Sequence, residues 1–335
     1  MGLGRFIAVR ALLMIPTILI LLTFVFFIMR VIPGDPILAM VGMKAPPERI
    51  EELRHMAGLD KPPYIQYLEY LWGVFHGDLG RSMIWGRRPV INEIMDRFPA
   101  TLELTISAFT VSVLIGLVTG SLAALKKGSR TDAAMRFYGL VAWTLFIPWF
   151  GMMLQIIFGV WLHWLPIAGR IDPDLAPPRI TGLYVLDSIL TGRWDSLISA
   201  IRYLILPSIT LGVVLSGAYT RLVRNNLVEV FGQDYMTTYR AMGMPPGKLL
   251  RRALRNAFIP LITMMGLQFA ILLAGAVLTE TTFSWPGMGT FLLERIIYVD
   301  YTTVQGTIVF FAIFVALINF IVDVIYAIID PRVRY

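Results

Sequence analysis

The chain has 335 residues, 57% of them hydrophobic and only 15% charged, where soluble domains carry about 25% charge. With a mean hydropathy of +0.70 it belongs in a bilayer. Cysteine is absent, and the histidines are only His55, His76 and His163, far apart; this excludes disulfides, thiolate metal sites and cysteine nucleophiles and leaves no basis for a metal centre. The net charge of +7 does not point to nucleic acid, because the cations sit beside apolar runs and not among stacking aromatics.

Arg5 and Arg10 precede an apolar run, Ala11 to Met29, whose 19 residues suffice to cross a hydrocarbon core of about 30 Å at about 1.5 Å per residue. The basic flank puts the N-terminus in the cytoplasm. The run is too long for a signal-peptide core, so it is expected to stay as an uncleaved anchor. Residues 32–99 form the longest polar interval, with eight cations against nine anions, a balance that suits an extracytoplasmic subdomain. Within it, the proline pairs ahead of Glu48 to Met56 and of Tyr64 to Phe75 predict two short helices.

A second span is expected over Thr101 to Leu125, where Gly116 and Gly120, four apart, allow close helix packing. Lys126, Lys127, Arg130 and Arg136 mark a short cytoplasmic loop, and the third span follows over Phe137 to Trp164 with Pro148 inside it. After an outer loop at 165–200, the fourth span, Tyr203 to Tyr219, ends at Arg221 and Arg224. The fifth runs from Phe258 to Thr279, an outer loop at 280–303 is turned by Pro286, Gly287 and Gly289, and the sixth, Val304 to Ile329, leads into a tail with Arg332 and Arg334. The cytoplasmic segments so defined hold fifteen cations and four acids, which makes six spans with both termini inside the consistent topology.

Between the fourth and fifth spans lies a basic stretch, DYMTTYRAMGMPPGKLLRRALRNAFIP, from Asp234 to Pro260. Tyr235, Tyr239 and Met242 recur at helical spacing, Gly243 is placed to end a helix, and Pro245 or Pro246 suits the first turn of the next. In that second helix Leu249, Leu250, Ala253, Leu254, Ala257 and Phe258 share one face, and Lys248, Arg251, Arg252 and Arg255 the other. Such a helix can dock on a partner protein or lie on anionic lipid, and the stretch alone does not choose between them.

No motif supports catalysis. GMPPGKLL at Gly243 to Leu250 approaches a phosphate-binding loop, but its glycines are one residue too close and Leu249 stands where a magnesium-binding hydroxyl is required. HExxH, GxSxG and EF-hand patterns are missing. Any ATP and magnesium must therefore be held by another chain. Polar residues at membrane depth are the candidates for a path: Gln155, Ser208, Thr210, Ser216, Gln268, Thr279, Glu280, Asn319 and Asp323, structural hydrogen bonding being the commoner role of each such residue. Asp323 is the costliest and raises a proton-coupled carrier as the rival reading, although a relay requires several ionisable groups and the deep interior is nearly bare of them.

Several segments together resemble the permease subunits of bacterial and archaeal ABC importers for dipeptides, oligopeptides, glutathione and nickel. They are FFIMRVIPGDP at Phe26 to Pro36, GDLGRSM at Gly77 to Met83, RFPATLELTISAF at Arg97 to Phe109, LILPSITLG at Leu204 to Gly212, RAMG with LRNAFIPLIT between Arg240 and Thr263, ETTFSWPGMG at Glu280 to Gly289, DYTTVQG at Asp300 to Gly306, and the terminal DPRVRY. The resemblance covers essentially the whole chain, and the long interval after the first span is similar to that of the first of the two permeases in such systems. It implies an all-α integral membrane protein of six spans: an N-terminal tail and first span at 1–31, an extracytoplasmic subdomain at 32–99, and a permease core at 100–335 with coupling helices at 232–257.

The resemblance also implies partners: a second homologous permease, two cytoplasmic ATPases that bind ATP and magnesium, an external substrate-binding protein, a peptide substrate and membrane lipid, with no cofactor or metal on this chain. The coupling residues it marks are Tyr239, Arg240, Ala241, Met242, Gly243, Met244, Pro245, Gly247, Leu250 and Arg251. Gly243 matches the glycine of the family's coupling loop, but Thr237, Thr238 and Tyr239 replace its Glu-Ala-Ala, and Ala253, Arg255 and Asn256 its Ile, Leu and Pro. The expectation is a non-catalytic transport subunit in a prokaryotic inner membrane, with nickel or glutathione as alternative cargo.

Overall fold

The computed structural model describes residues 3–31, 46–56, 60–84 and 88–329. The expectations for 32–45, Arg87 and the basic tail with Arg332 and Arg334 lie outside these. Among the described residues the fold is helical, with one isolated bridge between Arg81 and Pro89. In chain order the helices are α1 (Leu3–Val31), α2 (Pro47–Met56), α3 (Pro63–Phe75), α4 (Val90–Leu125), α5 (Arg130–Thr144), α6 (Ile147–Leu154, extended by a π-helical turn Gln155–Trp161), α7 (Tyr184–Leu190), α8 (Trp194–Phe231), α9 (Asp234–Ala241), α10 (Pro246–Gly275), α11 (Val277–Thr282), α12 (Met288–Ile297) and α13 (Tyr301–Ile329).

Among the described residues four helices are long and apolar enough to cross a membrane: Gly4–Met29, Val90–Leu125, Trp194–Phe231 and Tyr301–Ile328. The pair Arg130–Thr144 and Ile147–Trp161 makes a fifth if its bend is counted within one span. Side chains such as Leu12, Ile20, Phe24, Leu114 and Val118 stand exposed on these helices, as a lipid solvent allows.

α4 and α8 form the central pair. Gly116 lies against Tyr219, and a Cβ at Gly120 would stand 2.7 Å from Val223 Cβ, so the glycine spacing does permit the close approach it suggested. α1 packs on α13 through Leu22, Val25 and Val309. The ends of α4, α8, α9 and α10 share a core of Ala124, Val223, Leu227, Phe231, Met236, Leu249 and Ala253.

The structure corrects three boundaries. The third span is not straight: Leu145 and Phe146 are extended, Pro148 opens a new helix, and the axis turns by 101°. A proline lacks the amide that would continue the previous helix and biases the residue before it away from helical angles, so the break falls there. The second helix begins at Val90, eleven residues before the expected Thr101, and passes through Pro99. Finally, the second coupling helix and the fifth span are one helix, α10, which runs from Pro246 to Gly275 and passes through position 260, itself a proline.

Candidate functional site

Two regions carry the polar chemistry. At the basic end, α9 turns into α10 through residues 242–245. Gly243 takes φ +73°, a left-handed conformation that costs any other residue, and donates its amide to the Arg240 carbonyl at 2.9 Å while Met244 N–H reaches the Tyr239 carbonyl at 3.1 Å. Pro245 and Pro246 start α10, and Lys248 and Leu249 donate to the Pro245 carbonyl at 3.0 and 3.1 Å.

Four contacts hold α9 down, one of them the Arg240 guanidinium 5.6 Å from the centroid of the Phe231 ring on α8. Met236 is fully buried against the first turns of α10. Tyr235 hydroxyl accepts from Asn256 Nδ2 at 2.9 Å. Tyr239 hydroxyl accepts from Arg252 Nη1 at 2.9 Å, and that guanidinium lies 4.7 Å over the Tyr239 ring. Arg240, Ala241, Met242, Gly243, Pro245, Gly247 and Arg251 are exposed, whereas Tyr239, Met244 and Leu250 are half-buried against the shared core. Met242, an apolar side chain 76% exposed at the tip, has the form of a docking knob. The expected coupling residues thus divide into a presented set and a supporting set.

At the opposite end Glu280 is fully buried. Its carboxylate accepts from Thr101 Oγ1 at 2.6 Å and from the Gly289 and Thr290 amides at 2.7 and 3.0 Å, so it caps the first turn of α12. Thr101 in turn accepts the Met288 amide at 2.7 Å, and Trp285 Nε1 donates to the Ala100 carbonyl at 2.8 Å. A Cβ at Gly287 would fall on the carboxylate, which explains glycine there. ETTFSWPGMG is a clasp between α11, α12 and α4.

The other path candidates are dispersed. Gln155 Nε2 donates to the Ile167 and Thr282 carbonyls at 2.7 and 3.0 Å. Ser216 is buried, 2.7 Å from the Tyr138 hydroxyl. Gln268 is half-buried on α10 and Asn319 exposed on α13. Asp323 is not a lone acid at depth: Arg10 on α1 reaches it at 3.3 Å, which offsets its cost and removes its main claim as a proton relay. No line of these groups forms a path within this chain alone.

The clasp end also holds buried ion pairs that sequence reasoning missed. Arg170 donates to Glu103 Oε2 through Nε at 2.9 Å and Nη2 at 2.6 Å, and stacks 3.9 Å from the Tyr184 ring. Arg295 donates to Glu93 at 2.8 Å. Asp300 accepts from Ser82 Oγ at 2.6 Å and Thr303 Oγ1 at 2.7 Å, which ties GDLGRSM to DYTTVQG. Asp187 gathers Thr181 Oγ1 and the amides of Ile180, Thr181 and Gly182; burial pushes its pKa up, but these hydrogen bonds prevail and hold it below the usual carboxylate value. The available signal was the presence of charges inside the quoted segments. Their partners are 67 and 202 residues away for Glu103 and Glu93, beyond the reach of local pattern.

Apolar spanning helices, with an exposed basic corner at one end and a hydrogen-bonded clasp at the other, define a multi-pass membrane protein. The chain belongs to the family described as binding-protein-dependent transport system inner membrane components, whose model matches residues 116–335, with the model of the N-terminal part of that component matching residues 3–105.

It is 42% identical over 334 residues to the di/tripeptide transport system permease protein of Pseudomonas aeruginosa, covering 98% of each chain. It is 40% identical over 337 residues to the dipeptide transport system permease protein of Escherichia coli K12, covering 99% of each, and 37% identical over 332 residues to the glutathione transport system permease protein of Salmonella choleraesuis, again covering 99% of each. Among solved structures, an inward-facing MetNI methionine ABC transporter matches with TM-score 0.51 at 18% identity, over 69% of this chain and 93% of that one, which shows the shared fold.

Proposed function

We propose that this chain is one of two permease subunits of an ATP-driven importer for dipeptides and other short peptides. It has six spans with both termini in the cytoplasm; α10 supplies the fifth, and the bent α5 and α6 the third. The observation that carries the substrate class is full-length identity to permeases whose names denote short peptides. The corner from Arg240 to Gly247, exposed and preformed, docks in a groove of a cytoplasmic ATPase, which binds ATP and magnesium. The second permease completes the path, and an external binding protein contacts the outer subdomain, about 32–99, and the loop at 280–303.

The corner is testable because its shape depends on one backbone conformation. Proline cannot adopt positive φ and has no amide for the Arg240 carbonyl, so Gly243→Pro removes the turn. Met242→Glu leaves the fold intact, since the side chain is exposed, and places an acid on the docking tip. In the reconstituted complex both variants are expected to lower peptide uptake at least about tenfold, equivalent to about 1.4 kcal/mol of lost coupling, while the ATPases still hydrolyse ATP. Uptake unchanged in both variants would refute the corner's role.

A further inference from the structure

Between the first turns of α4, the loop that carries Arg170 and the start of α12 lies a cavity of about 430 Å³, within the range of about 300–1,000 Å³ for small-molecule sites. Its wall is charged: Arg88, Glu93, Asp96, Arg97, Arg170, Glu294 and Arg295 face it, with Arg88 and Asp96 paired to each other at 3.4 Å. Most of these charges are engaged inside the fold, Arg170 with Glu103 and Arg295 with Glu93. Arg97 and Glu294 differ. Both are half-buried, and among the described residues neither side chain forms a hydrogen bond or a close ion pair.

A partly desolvated cation and a partly desolvated anion, each without a hydrogen-bonded partner, face one cavity, and each is left at a cost. A ligand of one sign would satisfy one and repel the other. A small molecule with both signs satisfies both. We infer that the cavity is a transit site for a small zwitterionic peptide, in which Arg97 receives the C-terminal carboxylate and Glu294 the N-terminal ammonium. The buried pairs hold the walls, and the Arg170 guanidinium, fixed on Tyr184, adds positive field beside Arg97. Because both ligating groups are half exposed to water, the site binds weakly, as a waypoint must if it is to release its cargo. The inference rests on the peptide-importer reading.

The test uses the assembled importer in nanodiscs, without its binding protein, and radiolabelled dialanine in a scintillation proximity assay. Wild type is expected to bind dialanine saturably. Arg97→Ala and Glu294→Gln should each raise the half-saturating concentration about tenfold, in keeping with loss of one charge-assisted hydrogen bond, and Arg97→Lys should recover part of it. Dialanine amide, which lacks the carboxylate, should bind wild type about tenfold more weakly than dialanine yet bind Arg97→Ala no worse than dialanine does. Absence of saturable binding, or equal affinity in wild type and both variants, would overturn the site. Dialanine uptake by wild type with its binding protein separates the two ideas: if uptake occurs while the variants bind normally, only the transit site fails; if wild type takes up no peptide, the importer reading fails and the site with it.

Discussion

The clasp around Glu280 and the corner at Gly243 are built on opposite rules. At the clasp, acidic groups are buried and partnered: Glu280 has three donors, Glu103 has Arg170 and the Val185 amide at 2.7 Å, and Glu93 has Arg295. At the corner the cations Arg240, Lys248, Arg251 and Arg252 stay exposed, and α9 is held by Met236, two tyrosine contacts and the Arg240 guanidinium over the Phe231 ring. The difference is what the proposed contacts with two partners require. A surface kept rigid by internal pairing can present a fixed cavity. A surface with free charge and an apolar tip keeps its bonding capacity for another protein.

The contrast predicts a gradient of mutational cost. Arg170→Met should be the most damaging, lowering stability by about 3–5 kcal/mol, because it leaves Glu103 buried without its cation; thermal unfolding in detergent reads this, and the double change with Glu103→Leu should recover much of it. Glu280→Gln should cost about 2–3 kcal/mol, since an amide keeps the volume but can no longer accept from all three donors; the same melt measures it, and proteolysis between α11 and α12 should rise. Arg252→Ala should cost under about 1 kcal/mol, because the lost contact to Tyr239 is solvent-exposed. An Arg252 effect equal to that of Arg170 would break the comparison.

Much of the architecture was legible because the bilayer imposes a coarse rule, long apolar runs with cations at one end. The runs Ala11 to Met29 and Val304 to Ile329 correspond to α1 and α13, and the proline pairs correctly opened α2 and α3. Gly243 as the stop of α9 was also readable, since only glycine takes that conformation cheaply. The bend at Pro148 was not, although the proline was visible: in a membrane helix proline either kinks or breaks, and its neighbours decide which. Nor was the role of Glu280, which by pattern is merely a costly acid at the end of a span.

The sequence by itself thus determined the solvent, the helical class, the spans at either end of the chain and the position of the basic corner, because each depends on residues close along the chain. The tertiary structure alone decided which charges are paired. Glu103 meets Arg170, Glu93 meets Arg295, and Asp323 meets Arg10 only when distant segments are brought together. The meaning of a charge depends on its partner, so the same residue type that locks the clasp at Glu280 lines an open cavity at Glu294.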